Sequence, residues 1–244
     1  MDFKSTPQDK AKFIEFHTLQ HTRDLLQVKS MVQADLMKAI DELTEVIEAN
    51  EKRVKQLQEG LENNLSEDKK QLYINGIERY RDLSILANKV SEIYLMQLDI
   101  YTYGTYFILA KDEWDWRAFA RHLYTILKEH PDTVNKQLNV IINILQKGIG
   151  KDYDLKSLIR AKKDFSSFID GNIKFANQIR VNVDAHFDGD FKERLKLITN
   201  LTYYNVFELY YAYNSKMHEF LKQLKPALVE FRYSADMYYH VLIK

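Results

Sequence analysis

Residues that break helices are scarce along this chain, and their scarcity constrains its fold more than any other feature. The 244 residues include only 7 Gly and 3 Pro. Helix interiors tolerate neither well, since Gly leaves the backbone too free and Pro lacks the N–H that the helix needs. The sequence therefore favours long helices joined by short connections. No stretch shows the alternation of a β-strand, so we expect an all-α fold.

Two heptad patterns follow one another in the first half of the chain. Their apolar positions alternate by four and three, and Asn50 occupies one position of the first pattern, where a single polar residue commonly sets the register. The positions are Leu36, Ile40, Leu43, Ile47, Asn50, Val54, Leu57 and Leu61, and then Tyr73, Ile77, Tyr80, Leu83, Ala87, Val90, Tyr94, Leu98 and Tyr101. A turn-rich connection from Gly60 to Ser66 separates them. The two arms predict a long antiparallel coiled-coil hairpin.

We interpret residues 1–244 as a single all-helical domain. A helical hairpin over 30–110 protrudes from this multi-helix bundle, and residues 111–244 form its helical body. The hairpin is a candidate surface for a protein partner. The window from Ile93 to Ala110 is the most apolar of the chain, but Gln97 and Asp99 interrupt it. We therefore interpret it as a buried core helix and not as a membrane span.

Capping and helix-breaking residues predict where several helices of the body begin and end. Asp112 and Asp154 stand where N-caps belong, ahead of apolar helical patterns. Pro131, after His130, is predicted to end one helix, and Asp132 to cap the next. Pro226 is predicted to separate two closing helices. Trp114 and Trp116, at the start of a helix, are predicted to be core or interface residues.

One helical stretch combines four polar side chains that could act on a phosphodiester. Ile179, Val183 and Phe187 recur every four residues, as on one face of a helix. Between them stand Arg180, Asn182, Asp184 and His186. Arginine presents a fork of donors suited to phosphate, and histidine titrates near neutral pH. The alternative interpretation gives these residues no catalytic role: Arg180 and Asp184 form a surface ion pair, and His186 is an ordinary residue near a helix end.

Helix geometry limits how these four residues can meet. Arg180 pairs with Asp184 and Asn182 with His186, because residues four apart share a helix face. Arg180 and His186 are six apart and point about 120° apart on a regular helix. A site containing both therefore needs a second subunit or a bend in the helix.

The same segment resembles the motif of the HEPN superfamily, whose members are small helical proteins common in toxin–antitoxin and abortive-infection systems. Five residues separate Arg180 from His186, and Phe187-Asp188 follow, as in several members. The resemblance implies a HEPN-like body over 111–244 and a metal-independent endoribonuclease, or an RNA-binding toxin or defence protein, with two motifs meeting across a homodimer cleft. It also implies that Arg180 binds the scissile phosphate and that His186 transfers protons. Asn182 and Asp184 would then orient the side chains of Arg180 and His186.

The balance of charged residues limits which classes of partner the chain as a whole can attract. Lys plus Arg equals Asp plus Glu at 35 each, so RNA binding requires a local patch. The best one comprises Lys156, Arg160, Lys162, Lys163 and Lys174, interrupted by Asp164 and Asp170.

Cys is absent, which fits a reducing cytoplasm, where we place the protein. We expect no cofactor and no metal, since His17 and His21 supply only two ligands.

The alternative function is a non-catalytic helical interaction or scaffold protein related to HEPN. Active members usually carry a polar residue directly after the arginine, whereas this chain has Val181. The heptad arms, the Tyr-rich C-terminal region and the neutral net charge also favour this alternative.

Overall fold

The computed structural model describes residues 19–63, 65–110, 112–149, 153–179, 199 and 201–242. Within these residues the fold is all-α and contains no strand, as the scarcity of helix breakers predicted. The helices are α1 (Leu19–Leu61), α2 (Glu67–Leu109), α3 (Glu113–Gly148), α4 (Lys156–Ile179) and α5 (Tyr203–Leu242). None of these helices is long and apolar enough to cross a membrane.

Both predicted N-caps are confirmed. The Asp112 carboxylate accepts hydrogen bonds from the backbone N–H groups of Trp114 and Asp115, each at 2.8 Å. The Asp154 carboxylate accepts one from the N–H of Lys156 at 2.9 Å. These side chains satisfy donors that lack partners in the first turn of a helix, and so they set where α3 and α4 begin.

Both predicted proline breaks are wrong. Pro131 lies inside α3, so Asp132 does not cap a new helix, and Pro226 lies inside α5. An interior proline removes one hydrogen bond and costs about 3 kcal/mol. Leu224 and Ala227, on either side of Pro226, are both buried, and burial of apolar side chains can offset a cost of this size.

The described residues group into two compact units, and each of the five helices contributes a segment to both. The first unit draws on Met1–Leu36, Leu95–Val134 and Lys163–His218. The second draws on Met37–Tyr94, Asn135–Lys162 and Glu219–Lys244. The predicted division into a hairpin over 30–110 and a body over 111–244 stays a prediction.

In the second unit α1 and α2 run antiparallel. Arg53 of α1 lies 5.2 Å from the ring centroid of Tyr80 of α2, and Gly60 lies against the ring of Tyr73. Residue numbers thus rise along α1 as they fall along α2. Asn50, the polar seam residue, is buried in this unit. Contacts in the first unit give the same direction, since Lys29 lies over the ring of Tyr106 and Gln33 donates to Thr102 at 3.0 Å.

Aromatic side chains join α2 to α5 within the first unit. The rings of Phe107 and Tyr203 stack with centroids 4.6 Å apart, and Tyr101 meets Tyr210 edge-on at 6.5 Å. Phe107 and Tyr203 are both buried. Part of the apolar window from Ile93 to Ala110 therefore packs in this core, as its sequence predicted.

Candidate functional site

The four residues of the predicted site, Arg180, Asn182, Asp184 and His186, lie outside the described residues. Their roles therefore stay predictions. What the structure describes is the chain on either side of them, in α4 before Arg180 and at the start of α5 after Phe187.

Both flanks of the motif are anchored by buried side chains of the first unit. Before the motif, Phe165 and Ile169 of α4 are buried. After it, Leu201 and Tyr203 are buried. Phe165 meets Tyr213 of α5 at 5.4 Å between ring centroids. The segments that enter and leave the motif thus share one core.

Arg117 of α3 binds the backbone of the segment that follows the motif. Its side chain is only 5% exposed. One guanidinium nitrogen donates to the carbonyl oxygen of Leu201 at 2.9 Å, and another lies 2.7 Å from a carboxylate oxygen of Glu113. The guanidinium carbon is also 4.5 Å from the Trp116 ring centroid. A buried cation needs such partners, and Arg117 has a carboxylate, a carbonyl and a ring.

Aromatic rings pack one after another along α5, beginning at Trp116 beside Arg117. Trp116 meets Tyr203 edge-on at 6.0 Å, and Phe107 stacks on the same tyrosine. Phe207 and Tyr211 follow at near-parallel steps of 6.3 and 6.4 Å. Trp116 is buried, as predicted for the core, whereas Trp114 is exposed.

Sequence reasoning missed the role of Arg117. The spacing of four between Glu113 and Arg117 was visible and would have predicted an ion pair. The contact with Leu201 spans 84 positions of sequence, so no local pattern could have shown it.

A second polar cluster, in the second unit, surrounds the Asp236 carboxylate. Tyr80 donates to it at 2.8 Å, and nitrogens of Arg53 and Arg232 lie 3.3 and 3.8 Å from its oxygens. Arg53 also lies 5.7 Å from the ring centroid of Tyr239. Burial and the hydrogen bond to Asp236 raise the pKa of Tyr80 well above its usual range. The carboxylate is engaged by its neighbours, so the cluster joins α1, α2 and α5.

Other candidate ligands are dispersed. In the part of the chain that the structure describes, no group of three or more His, Cys, Asp or Glu side chains could hold a metal ion. His17 lies outside that part. Of the predicted basic patch, Lys156, Arg160 and Lys163 are exposed on α4.

Comparison of this chain with models of protein families, with curated proteins and with solved structures finds no match.

Proposed function

We propose that this protein is a HEPN-like, metal-independent endoribonuclease of the toxin or defence type. One observation carries the proposal: five residues separate Arg180 from His186, and Phe187-Asp188 follow, within an apolar helical pattern. No external nucleophile is needed for such cleavage, because the ribose 2′-hydroxyl supplies it, and side chains can transfer the protons.

In this proposal each residue has one task. The 2′-oxygen bonds to phosphorus as the bond from phosphorus to the 5′-oxygen breaks; His186 of one copy accepts the 2′-hydroxyl proton, and His186 of the other copy delivers a proton to the leaving 5′-oxygen. Arg180 binds the phosphate and neutralises the charge that develops on it. Asn182 and Asp184 orient the imidazole and the guanidinium, which are their neighbours at a spacing of four. On a regular helix Arg180 and His186 would point about 120° apart, so in this proposal two copies of the motif supply the complete site.

Two described features support the proposal. The buried residues on either side of the motif belong to one core, which can hold its ends in place. The exposed cations Lys156, Arg160 and Lys163 of α4 precede the motif in the sequence, and they offer a local attraction for RNA phosphates although the net charge is zero.

The test compares wild-type protein with His186→Ala and Arg180→Ala on single-stranded RNA in EDTA. We expect cleavage by the wild type and a loss of roughly 100-fold or more in each variant, the usual scale for removing a general acid–base or a charge-stabilising group. His218→Ala is the matched control, because His218 is an exposed histidine on α5. It should leave the rate unchanged. Folded wild-type protein that cleaves no RNA, or an active His186→Ala variant, contradicts the proposal.

The second candidate is a non-catalytic helical interaction protein, with partners bound through the predicted hairpin over 30–110 or another helical face. Val181 favours it, as does a row of exposed apolar side chains on α5. Absence of cleavage by folded wild type, together with self-association or partner binding that survives His186→Ala, is the outcome that selects this candidate.

A further inference from the structure

Two buried side-chain oxygens of the first unit have no hydrogen-bond donor among the described residues. One is Oε1 of Gln97 on α2, a residue that is only 4% exposed. The other is Oδ1 of Asn214 on α5. Native proteins rarely leave a buried acceptor unpaired, because folding has removed the hydrogen bonds that it made to solvent. Each of these oxygens therefore needs a donor.

Within the first unit, α2 and α5 run antiparallel. Phe107 of α2 stacks on Tyr203 of α5, and Tyr101 of α2 meets Tyr210 of α5. Residue numbers thus fall along α2 as they rise along α5. Both contacts are direct, with ring centroids 4.6 and 6.5 Å apart. These contacts define the register of the two helices, and helix geometry extends that register by a further turn.

The next turn of this pair brings the two amides to the same level. Gln97 precedes Tyr101 by four residues, and Asn214 follows Tyr210 by four. Residues four apart share a helix face, so each amide lies on the face that carries the ring contact. Tyr210 also lies against Gly104, seven positions after Gln97 on the same face of α2. Gln97 and Asn214 therefore face one another between α2 and α5.

The chemistry of the two free atoms determines what can lie between them. The Asn214 amide nitrogen donates to the Tyr210 carbonyl oxygen at 2.9 Å, and this bond fixes which end of the amide is the oxygen. Two amide oxygens cannot bond to each other, because neither carries a hydrogen. A water molecule has two O–H groups and can donate one hydrogen bond to each oxygen.

We propose that one buried water molecule bridges α2 and α5, donating to Oε1 of Gln97 and to Oδ1 of Asn214. The bridge makes the register of the two helices specific, because sliding α5 along α2 by one turn would separate the two acceptors and leave both unpaired. The water site does not depend on RNA cleavage, since neither residue belongs to the Arg180–His186 motif.

The first experiment is a crystal structure of the wild-type protein at a resolution that shows ordered water. We expect one water molecule within hydrogen-bond distance of both oxygens, roughly 2.7–3.2 Å from each. A direct hydrogen bond from the Gln97 amide nitrogen to Asn214 Oδ1 overturns the proposal. So does a tyrosine hydroxyl that donates to either oxygen, or a separation of the two oxygens that is too large for one water to span.

The second experiment measures whether the two amides are coupled in solution, by urea unfolding of Gln97→Met, Asn214→Leu and the double variant. Each single substitution leaves one acceptor with an incomplete bridge, so each should lower the urea midpoint. The double variant leaves no acceptor unpaired. Its midpoint should therefore fall by clearly less than the sum of the two single shifts, with the slope of the transition unchanged. Additive shifts overturn the proposal.

The matched control pairs Asn214→Leu with Gln33→Met. Gln33 is also a glutamine of the first unit that contacts α2, but its amide nitrogen donates to Thr102 at 3.0 Å from α1. Effects of this second pair should add, because the two residues share no partner. Circular dichroism verifies that every variant is folded. Coupling of the control pair as strong as that of Gln97 with Asn214 would show that the coupling is not specific, and would overturn the bridge.

Discussion

At the scale of single residues, the first unit relies on a buried cation. Arg117 holds the carbonyl of Leu201, a carboxylate oxygen of Glu113 and the face of Trp116. Removing one partner of a buried charged contact usually costs more than forming the contact contributes, because the group left behind stays desolvated. In this protein that group is the Leu201 carbonyl.

We expect Arg117→Met to lower the free energy of unfolding by about 2–3 kcal/mol, since methionine fills similar space but donates no hydrogen bond. Urea denaturation measures the change. Lys38→Met is the control, because Lys38 is 76% exposed in its ion pair with Glu42 and such pairs contribute less than about 0.5 kcal/mol. Equal effects of the two substitutions would show that Arg117 is not an anchor.

At the scale of helices, close packing depends on where α2 carries glycine. A Cβ at Gly104 would collide with the ring of Tyr210 on α5. Gly171 of α4 is the opposite case, because a Cβ there meets no atom of the described chain within 4 Å. Both glycines are helical, so they differ in their surroundings and not in backbone conformation.

The two glycines therefore predict opposite results of one substitution. Gly104→Ala should destabilise the protein by roughly 1–3 kcal/mol, the usual cost of overpacking. Gly171→Ala should stabilise it by about 0.5–1 kcal/mol, because alanine is the better helix former. Thermal and urea unfolding of both variants provide the measurement. A stabilising Gly104→Ala would mean that α2 and α5 are not in close contact there.

At the scale of the whole molecule, the two units have in common a set of largely buried tyrosines. Burial raises the pKa of each hydroxyl above its usual value of about 10, because it disfavours the phenolate. These residues are Tyr80, Tyr94, Tyr101, Tyr124, Tyr203, Tyr210 and Tyr213. The unfolded chain ionises at lower pH than the folded one, so alkali favours unfolding.

The resulting prediction is a loss of stability at high pH. A raised folded-state pKa leaves stability intact below pH 10, the unfolded value, and removes it as the pH rises further. The melting temperature should be level from pH 8 to about 9.5 and then fall, with phenolate absorbance rising as the protein unfolds.

Two neighbouring tyrosines of α5 supply the control for this prediction. Tyr213→Phe, at a fully buried position, should move the alkaline transition to higher pH. Tyr211→Phe, at an exposed position, should leave the transition unchanged. A melting temperature that stays level to pH 11 would contradict the buried state of these hydroxyls.

Local sequence was sufficient wherever the cause lies within a few residues. The all-α class follows from the scarcity of Gly and Pro, and the starts of α3 and α4 follow from Asp112 and Asp154. The Arg180–His186 hypothesis also comes from spacing within one segment. An N-cap or an interval of four residues requires no knowledge of distant chain, because its partners are set by helix geometry.

Tertiary structure decided what depends on residues far apart in sequence. Pro226 lies inside a helix although its local propensity opposes one, and its neighbours Leu224 and Ala227 are buried by tertiary packing, which can outweigh propensity. The Leu201 carbonyl that Arg117 binds lies 84 positions away, and Asp236 accepts a hydrogen bond from Tyr80 across 156 positions. The exposure of Val229, Tyr233, Met237 and Val241 on α5 likewise depends on which face the other helices cover. An apolar pattern predicts that a face will be buried, whereas only the packed neighbours determine whether this chain alone can bury it.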